Sequence, residues 1–96
     1  MDKSELCERI SRQTDLNKAD VMKVVNAAME EISAALASGE NIYLRGFGSF
    51  IRKWRAEKLG RNISKKTSVI IPAHWLPAWK PCDAVKERVK RSETTG

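Results

Sequence analysis

Seven cations crowd one stretch of this chain: Arg52, Lys53, Arg55, Lys58, Arg61, Lys65 and Lys66. The stretch runs from Gly46 to Pro81 and reads as two extended strands that leave the body of the protein and return. Cations on so thin a projection call for an anionic partner, and a nucleic-acid backbone is the obvious one. Neutralising phosphates displaces condensed counterions, so log K falls by roughly 0.9 per contact as log salt rises. The plain alternative is a solvated ribbon kept soluble by repulsion. Alternation along a strand lets only some of the seven face one partner at once.

Other chemistry is sparse. Cys7 and Cys82 stand far apart, with no CxxC and no Cys/His cluster, and read as reduced thiols rather than a disulfide framework. Cys82 lies at a helix N-terminus, where a thiol pKa can fall, but a structural role explains it. His74, the single histidine, has no Cys, Ser or carboxylate pattern beside it and reads as an exposed strand residue. Nucleophile–base pairs, metal clusters and phosphate loops are missing, so the reading is not an enzyme and calls for no cofactor, metal or small-molecule substrate. Phe47, Phe50 and Trp79, beside glycines and prolines, read as core. Trp54 and Trp75 read as a cross-strand pair at the ribbon's base, with base stacking as the alternative.

Ninety-six residues make at most one small domain, of net charge +6. With some thirty residues projecting, the rest is too short to bury a good core alone, and oligomerisation is the remedy. Charge is uneven: residues 1–40 hold five Lys/Arg against eight Asp/Glu, and residues 41–96 hold thirteen against four. The polar N-terminus lacks a signal core, and no apolar run approaches the roughly 20 residues that span a bilayer. The expectation is a soluble intracellular protein.

The elements follow in order. Asp2 caps a first helix with Glu5 in the capping-box position, and Leu6, Cys7 and Ile10 share its apolar face. Asn17 caps a second helix of about four turns, striped by Val21, Val24, Val25, Ala28, Met29, Ile32 and Leu36 and stopped at Ser38-Gly39. Asn41 to Arg45 is a short strand, and Gly46-Phe47-Gly48 a tight reversal. Leu59-Gly60 starts the tip of the ribbon and Lys65-Lys66-Thr67 ends it. Ser68 to Leu76 returns, with Pro72 marking an edge or bend. Pro77 to Pro81 reads as a rigid connection, Cys82 or Asp83 opens a last short helix, and residues 91–96 form a flexible tail.

These pieces together resemble the HU/IHF family of bacterial histone-like DNA-bending proteins over residues 2–90. The resemblance rests on the two capped helices, Gly46-Phe47-Gly48-Ser49-Phe50, Gly60-Arg61-Asn62, Ile71-Pro72-Ala73 and Pro77-Ala78-Trp79-Lys80-Pro81, all in register without gaps. It implies an α+β, IHF-like DNA-binding fold: a helical base, a three-stranded antiparallel sheet and a protruding β-ribbon arm, paired as an intertwined dimer. The single domain would divide into a dimerisation base with the first strand (1–45), saddle and arm (46–81) and a last helix (82–90).

The resemblance further implies that the arms grip duplex DNA in the minor groove, with Arg61 and Asn62 inserted and Ile63 wedging a base step. The family's proline and tip glycine are absent here, where Ile63-Ser64-Lys65-Lys66-Thr67 stands instead. Asp83 occupies a position where the family tends to place a lysine. Lys3, Lys80 and Lys86 would flank the saddle. Gly46 and Gly48 would admit a close DNA backbone, although their turn role alone explains them. Phe47, Phe50 and Trp79 would form the dimer's hydrophobic centre. The function implied is a nucleoid-associated, cytoplasmic architectural protein that binds and bends DNA with low sequence specificity, as a homodimer or with a related subunit. The rivals are a site-specific IHF-type bender and an assembly module of this fold without DNA binding.

Overall fold

Helix α1 (Lys3–Thr14) begins where Asp2 turns its carboxylate back, Oδ1 accepting from the Glu5 amide at 2.9 Å. Glu5 does not return the favour as a full capping box would; its carboxylate takes Arg9 at 3.1 Å, one turn on. Asp15 ends the helix in the left-handed region at φ 57°, which a short Asp side chain tolerates. The turn is held by hydroxyls: Thr14 Oγ1 donates to the Ile10 carbonyl and Ser11 Oγ to that of Leu16. Helix α2 (Lys18–Ser38) then starts on the Asn17 side chain, which accepts from the Ala19 and Asp20 amides. The structure is a computed structural model and describes residues 1–62 and 67–92, with the side chains of 61, 62 and 67 outside the description.

Helix α2 has 21 residues, which is about six turns rather than four. The apolar stripe from Val21 to Leu36 understates it, because the helix also takes in Lys18-Ala19-Asp20 after the Asn17 cap and Ala37-Ser38 before Gly39. Gly39 stops it at φ 101°, where the Gly39 and Glu40 amides reach the Leu36 and Ala35 carbonyls.

The strands are β1 (Ile42–Leu44), β2 (Gly48–Arg55), β3 (Lys58–Asn62), β4 (Thr67–Ile71) and β5 (His74–Pro81), followed by helix α3 (Asp83–Arg91). They form two antiparallel ladders, a sheet in the order β1-β2-β5 and a ribbon β3-β4. The outgoing and returning strands both break at one level, Ala56-Glu57 facing Pro72-Ala73. Pro72 lacks the amide a ladder needs, which accounts for the break on its side.

Two expectations are corrected here. The tip does not start at Leu59-Gly60 or take in Thr67, since pairing runs on to Asn62 opposite Thr67. Pro77 to Pro81 is not a connection but strand β5, with Pro77 opposite Arg52 and Pro81 opposite Gly48. An edge strand accepts prolines because their missing amides can face away from the ladder, and β5 is an edge. The last helix runs one residue beyond the expected end, to Arg91, with Cys82 as N-cap residue; residues 93–96 of the expected tail lie outside the described residues.

Little of this is buried within one chain. Among the described residues only Cys7, Val21 and Gly48 reach the buried class, while Val24 and Val89 are each 68% exposed. The radius of gyration is 18.5 Å, against about 13 Å for a compact chain near this length. Two buried side chains cannot offset the conformational entropy of ordering such a chain, so the apolar faces require a second one. The denaturation midpoint therefore should rise with protein concentration, each tenfold step adding about 1.4 kcal/mol of apparent stability. Urea titrations over a hundredfold concentration range check this; a midpoint independent of concentration would mean that the chain folds alone.

Candidate nucleic-acid interface

Strand β2 sorts its side chains between two faces. Phe50, Arg52 and Trp54 point one way; Ser49, Ile51, Lys53 and Arg55 point the other. Unbroken pairing from Gly48–Pro81 to Arg55–His74 carries the same division into β5. Trp75, Pro77 and Trp79 join the first face, and His74, Leu76, Ala78 and Lys80 the second.

The first face meets the helices. Trp75 and Pro77 share a hollow with Ser33, Leu36 and Ala37 of α2. Trp54 and Trp75 pair edge-to-face, with ring centroids 5.2 Å apart at 64°. The Arg52 guanidinium lies over the Trp75 ring, 4.5 Å from its centroid, and a Cβ built on Gly39 would stand 3.0 Å from Arg52 Nη1. Arg52 is thus packed between an aromatic ring and the C-terminus of α2, on the side away from Lys53 and Arg55. Sequence alternation separates these residues but does not say which side the helices cover.

Further along the same face, Phe47 and Trp79 stack at 5.1 Å with an interplanar angle of 33°, and Phe50 pairs with Trp79 across the ladder. Phe47 and Trp79 remain 45% and 44% exposed. The Phe47 carbonyl accepts from the Cys82 amide at 3.0 Å, tying the β1–β2 turn to α3. Trp79, Pro81, Val85 and Val89 then line a groove that is almost wholly apolar.

The second face is cationic. Lys53, Arg55 and Lys80 are exposed on it, and an open hollow of about 580 Å³ brings Lys80 together with Arg45, Lys86, Tyr43 and Asp83. Arg45 was absent from the sequence-based candidates; nothing local marks it, because only the turn after it and the start of α3 bring it beside Lys80. Asp83 is the single acid lining this hollow. The ion pairs of the described residues engage Arg9, Arg12 and Arg91, all on helices, which leaves the sheet cations outside them.

Gly46 and Gly48 line the same hollow, and each has a structural reason to be glycine. Gly46 takes φ 83° in the turn. A Cβ on Gly48 would meet the Lys80 carbonyl oxygen at 2.6 Å and Trp79 Nε1 at 2.7 Å.

On the ribbon, Lys58 pairs with Ile71, and the Arg61 and Asn62 backbones pair with Ser68 and Thr67. Leu59 stands opposite Ile70, exposed by 72% and 62%; reading Leu59 as part of the tip hid this apolar pair. Ile63, Lys65 and Lys66 lie outside the described residues. Lys3 is exposed in the first turn of α1, apart from the hollow.

Replacing Gly48 by alanine should cost about 1–3 kcal/mol, as overpacking against fixed backbone does, measured as a fall in urea midpoint at fixed concentration. Unchanged stability would show that β5 can move away from the turn.

Comparison with known proteins gives one answer throughout. The family profile described as "Bacterial DNA-binding protein" matches residues 1–90. The integration host factor subunit beta of Saccharophagus degradans is 43% identical over 93 residues, covering 96% of this chain and 95% of that one. The corresponding subunit of Ectopseudomonas mendocina is 40% identical, covering 98% and 100%. Among solved structures, the Anabaena HU–DNA cocrystal superposes with a TM-score of 0.90 at 33% identity, over 96% of this chain and 100% of that one. HU from Thermotoga maritima gives 0.65 at 30% identity, over 93% and 98%.

Proposed function

We propose, for a chain that belongs to the bacterial DNA-binding protein family of HU and IHF, that it grips duplex DNA in the minor groove and bends it with little regard to sequence. Members of this family are non-enzymatic, architectural proteins that bind double-stranded DNA as homodimers or heterodimers. The observation that carries the finer reading is the division of the β2–β5 sheet into an aromatic face turned toward α2 and a second face with exposed Lys53, Arg55 and Lys80. A surface so divided suits a polyanion lying across it, with Arg45 and Lys86 adding charge at its edge.

In this reading the ribbons continue around the duplex, Lys58, Lys65 and Lys66 neutralising phosphates. Arg61 and Asn62 enter the minor groove, where little beyond A·T against G·C and groove width can be distinguished. Ile63 of each arm wedges a base step; unstacking costs a few kcal/mol, offset by the contacts a bent duplex makes with the flanks, Lys3 among them. Phe47, Phe50 and Trp79, half-covered in one chain, close against the second subunit. Arg52 is assigned to the fold and not to DNA. Within the described residues no helix is long and apolar enough to cross a membrane, and a place on the nucleoid is in keeping with the family.

A site-specific bender acting as a heterodimer is the second reading, favoured by relatives named integration host factor subunit beta. Selection from random DNA separates the two: a recovered consensus supports the second reading, and none supports the first.

Two experiments test the mechanism. End-to-end FRET on a duplex of about three helical turns should rise on binding, with a midpoint that shifts steeply with salt. Ile63→Ser should cut the FRET change more than the affinity, and equal loss of both would remove the wedge. Arg55→Gln should flatten the slope of log K against log salt by roughly 0.9 for each subunit. Arg52→Gln should leave that slope unchanged while lowering the urea midpoint. A slope altered by Arg52→Gln and not by Arg55→Gln would reverse the face assigned to DNA.

A further inference from the structure

We infer that His74 is an additional phosphate contact at the root of each arm, made in its protonated form; the inference rests on the DNA-binding reading above. His74 opens β5 opposite Arg55, on the same face as Lys53 and Lys80 by strand alternation. It lines an open hollow of about 640 Å³ together with Arg55, Glu57 and Lys58, at the level where both strands of the ribbon break. Its Nδ1 stands 2.7 Å from the Pro72 carbonyl oxygen. A carbonyl only accepts, so Nδ1 carries a hydrogen in either charge state and Nε2 is the nitrogen that gains or loses the proton. The ring is thereby fixed to the bend residue, and Nε2 has no hydrogen-bond partner among the described residues.

Neutral, Nε2 is an acceptor and has nothing to offer a phosphate oxygen. Protonated, it becomes a charged donor, and such hydrogen bonds are about twice as strong as neutral ones. The charged groups facing the ring are Arg55 from β2, with Lys53 two residues along the same face, Lys58 from β3 and Glu57 from the break between them. From β4 the hollow receives Ile71, which carries no charge. A phosphate seated among these charged groups pairs with the protonated ring and not with the neutral one, so DNA binding and proton uptake at His74 reinforce each other. The sign follows: the protonated form binds more tightly, and affinity rises as pH falls.

The test is equilibrium binding of the full chain to a fluorescent duplex of about three helical turns, titrated over salt at pH 5.5 and pH 7.0, the interval in which imidazole changes charge. Affinity should be about three- to tenfold higher at pH 5.5, with a salt slope steeper by roughly 0.9 for each subunit. His74→Gln should abolish both differences, and His74→Arg should hold the higher affinity and steeper slope at both pH values. A His74→Gln protein that keeps the pH dependence of the wild type overturns the assignment, as does a wild type that binds equally at both. Failure of the wild type to bind at either pH would overturn the DNA-binding reading itself, and this inference with it.

Discussion

Everything in this molecule depends on the alternation of side chains along β2 and β5. The two strands pair without a bulge from Gly48–Pro81 to Arg55–His74, so each residue is committed to one face and every neighbour to the other. One face is aromatic and lies toward the helices; the other carries cations toward solvent. A slip of one residue would send Lys53 and Arg55 to the side of α2 and turn Phe50 to the opposite face. The exception within the aromatic face is Arg52, which tolerates its position by lying over Trp75. A guanidinium suits this role because it is weakly hydrated and flat enough to stack.

The aromatic face is unfinished in one chain. Phe47 and Trp79 stack on each other, yet nearly half of each remains open, and the groove beside them continues across Val85 and Val89 of α3. Gly48 permits this packing, since any side chain there would strike β5. The same contacts that shape the sheet therefore leave an apolar seam that folding of one copy cannot close. Charge follows a parallel logic: ion pairs on the helices consume cations locally, while those of the sheet face stand outside such pairs.

Where local chemistry decides a feature, it was legible in the sequence. Asp2, Asn17 and Gly39 mark helix ends because each acts on amides or carbonyls within a few residues, and the motif-rich stretch from Gly46 to Pro81 identified the family. Features decided by distant partners were not legible. The length of α2 exceeded its apolar stripe because the residues flanking the stripe, Lys18 to Asp20 and Ala37-Ser38, are helical too. Pro77 and Pro81 looked like a connection because their place at a sheet edge is known only once β2 is seen to be central. Arg52 looked equivalent to Lys53 because alternation names two faces without saying which one the helices cover, and Arg45 was invisible until α3 folded back beside it.

The paired interruptions at Ala56-Glu57 and Pro72-Ala73 have a consequence for descent and engineering. The two ladders share no rung across that level, so the ribbon beyond it is an interchangeable part. Its length and sequence can vary without disturbing the register of the sheet, much as a tool bit is exchanged in a chuck. A changed ribbon can thus have arisen on an unchanged body, and ribbons from relatives can be spliced at these two dipeptides while the register of the sheet is kept.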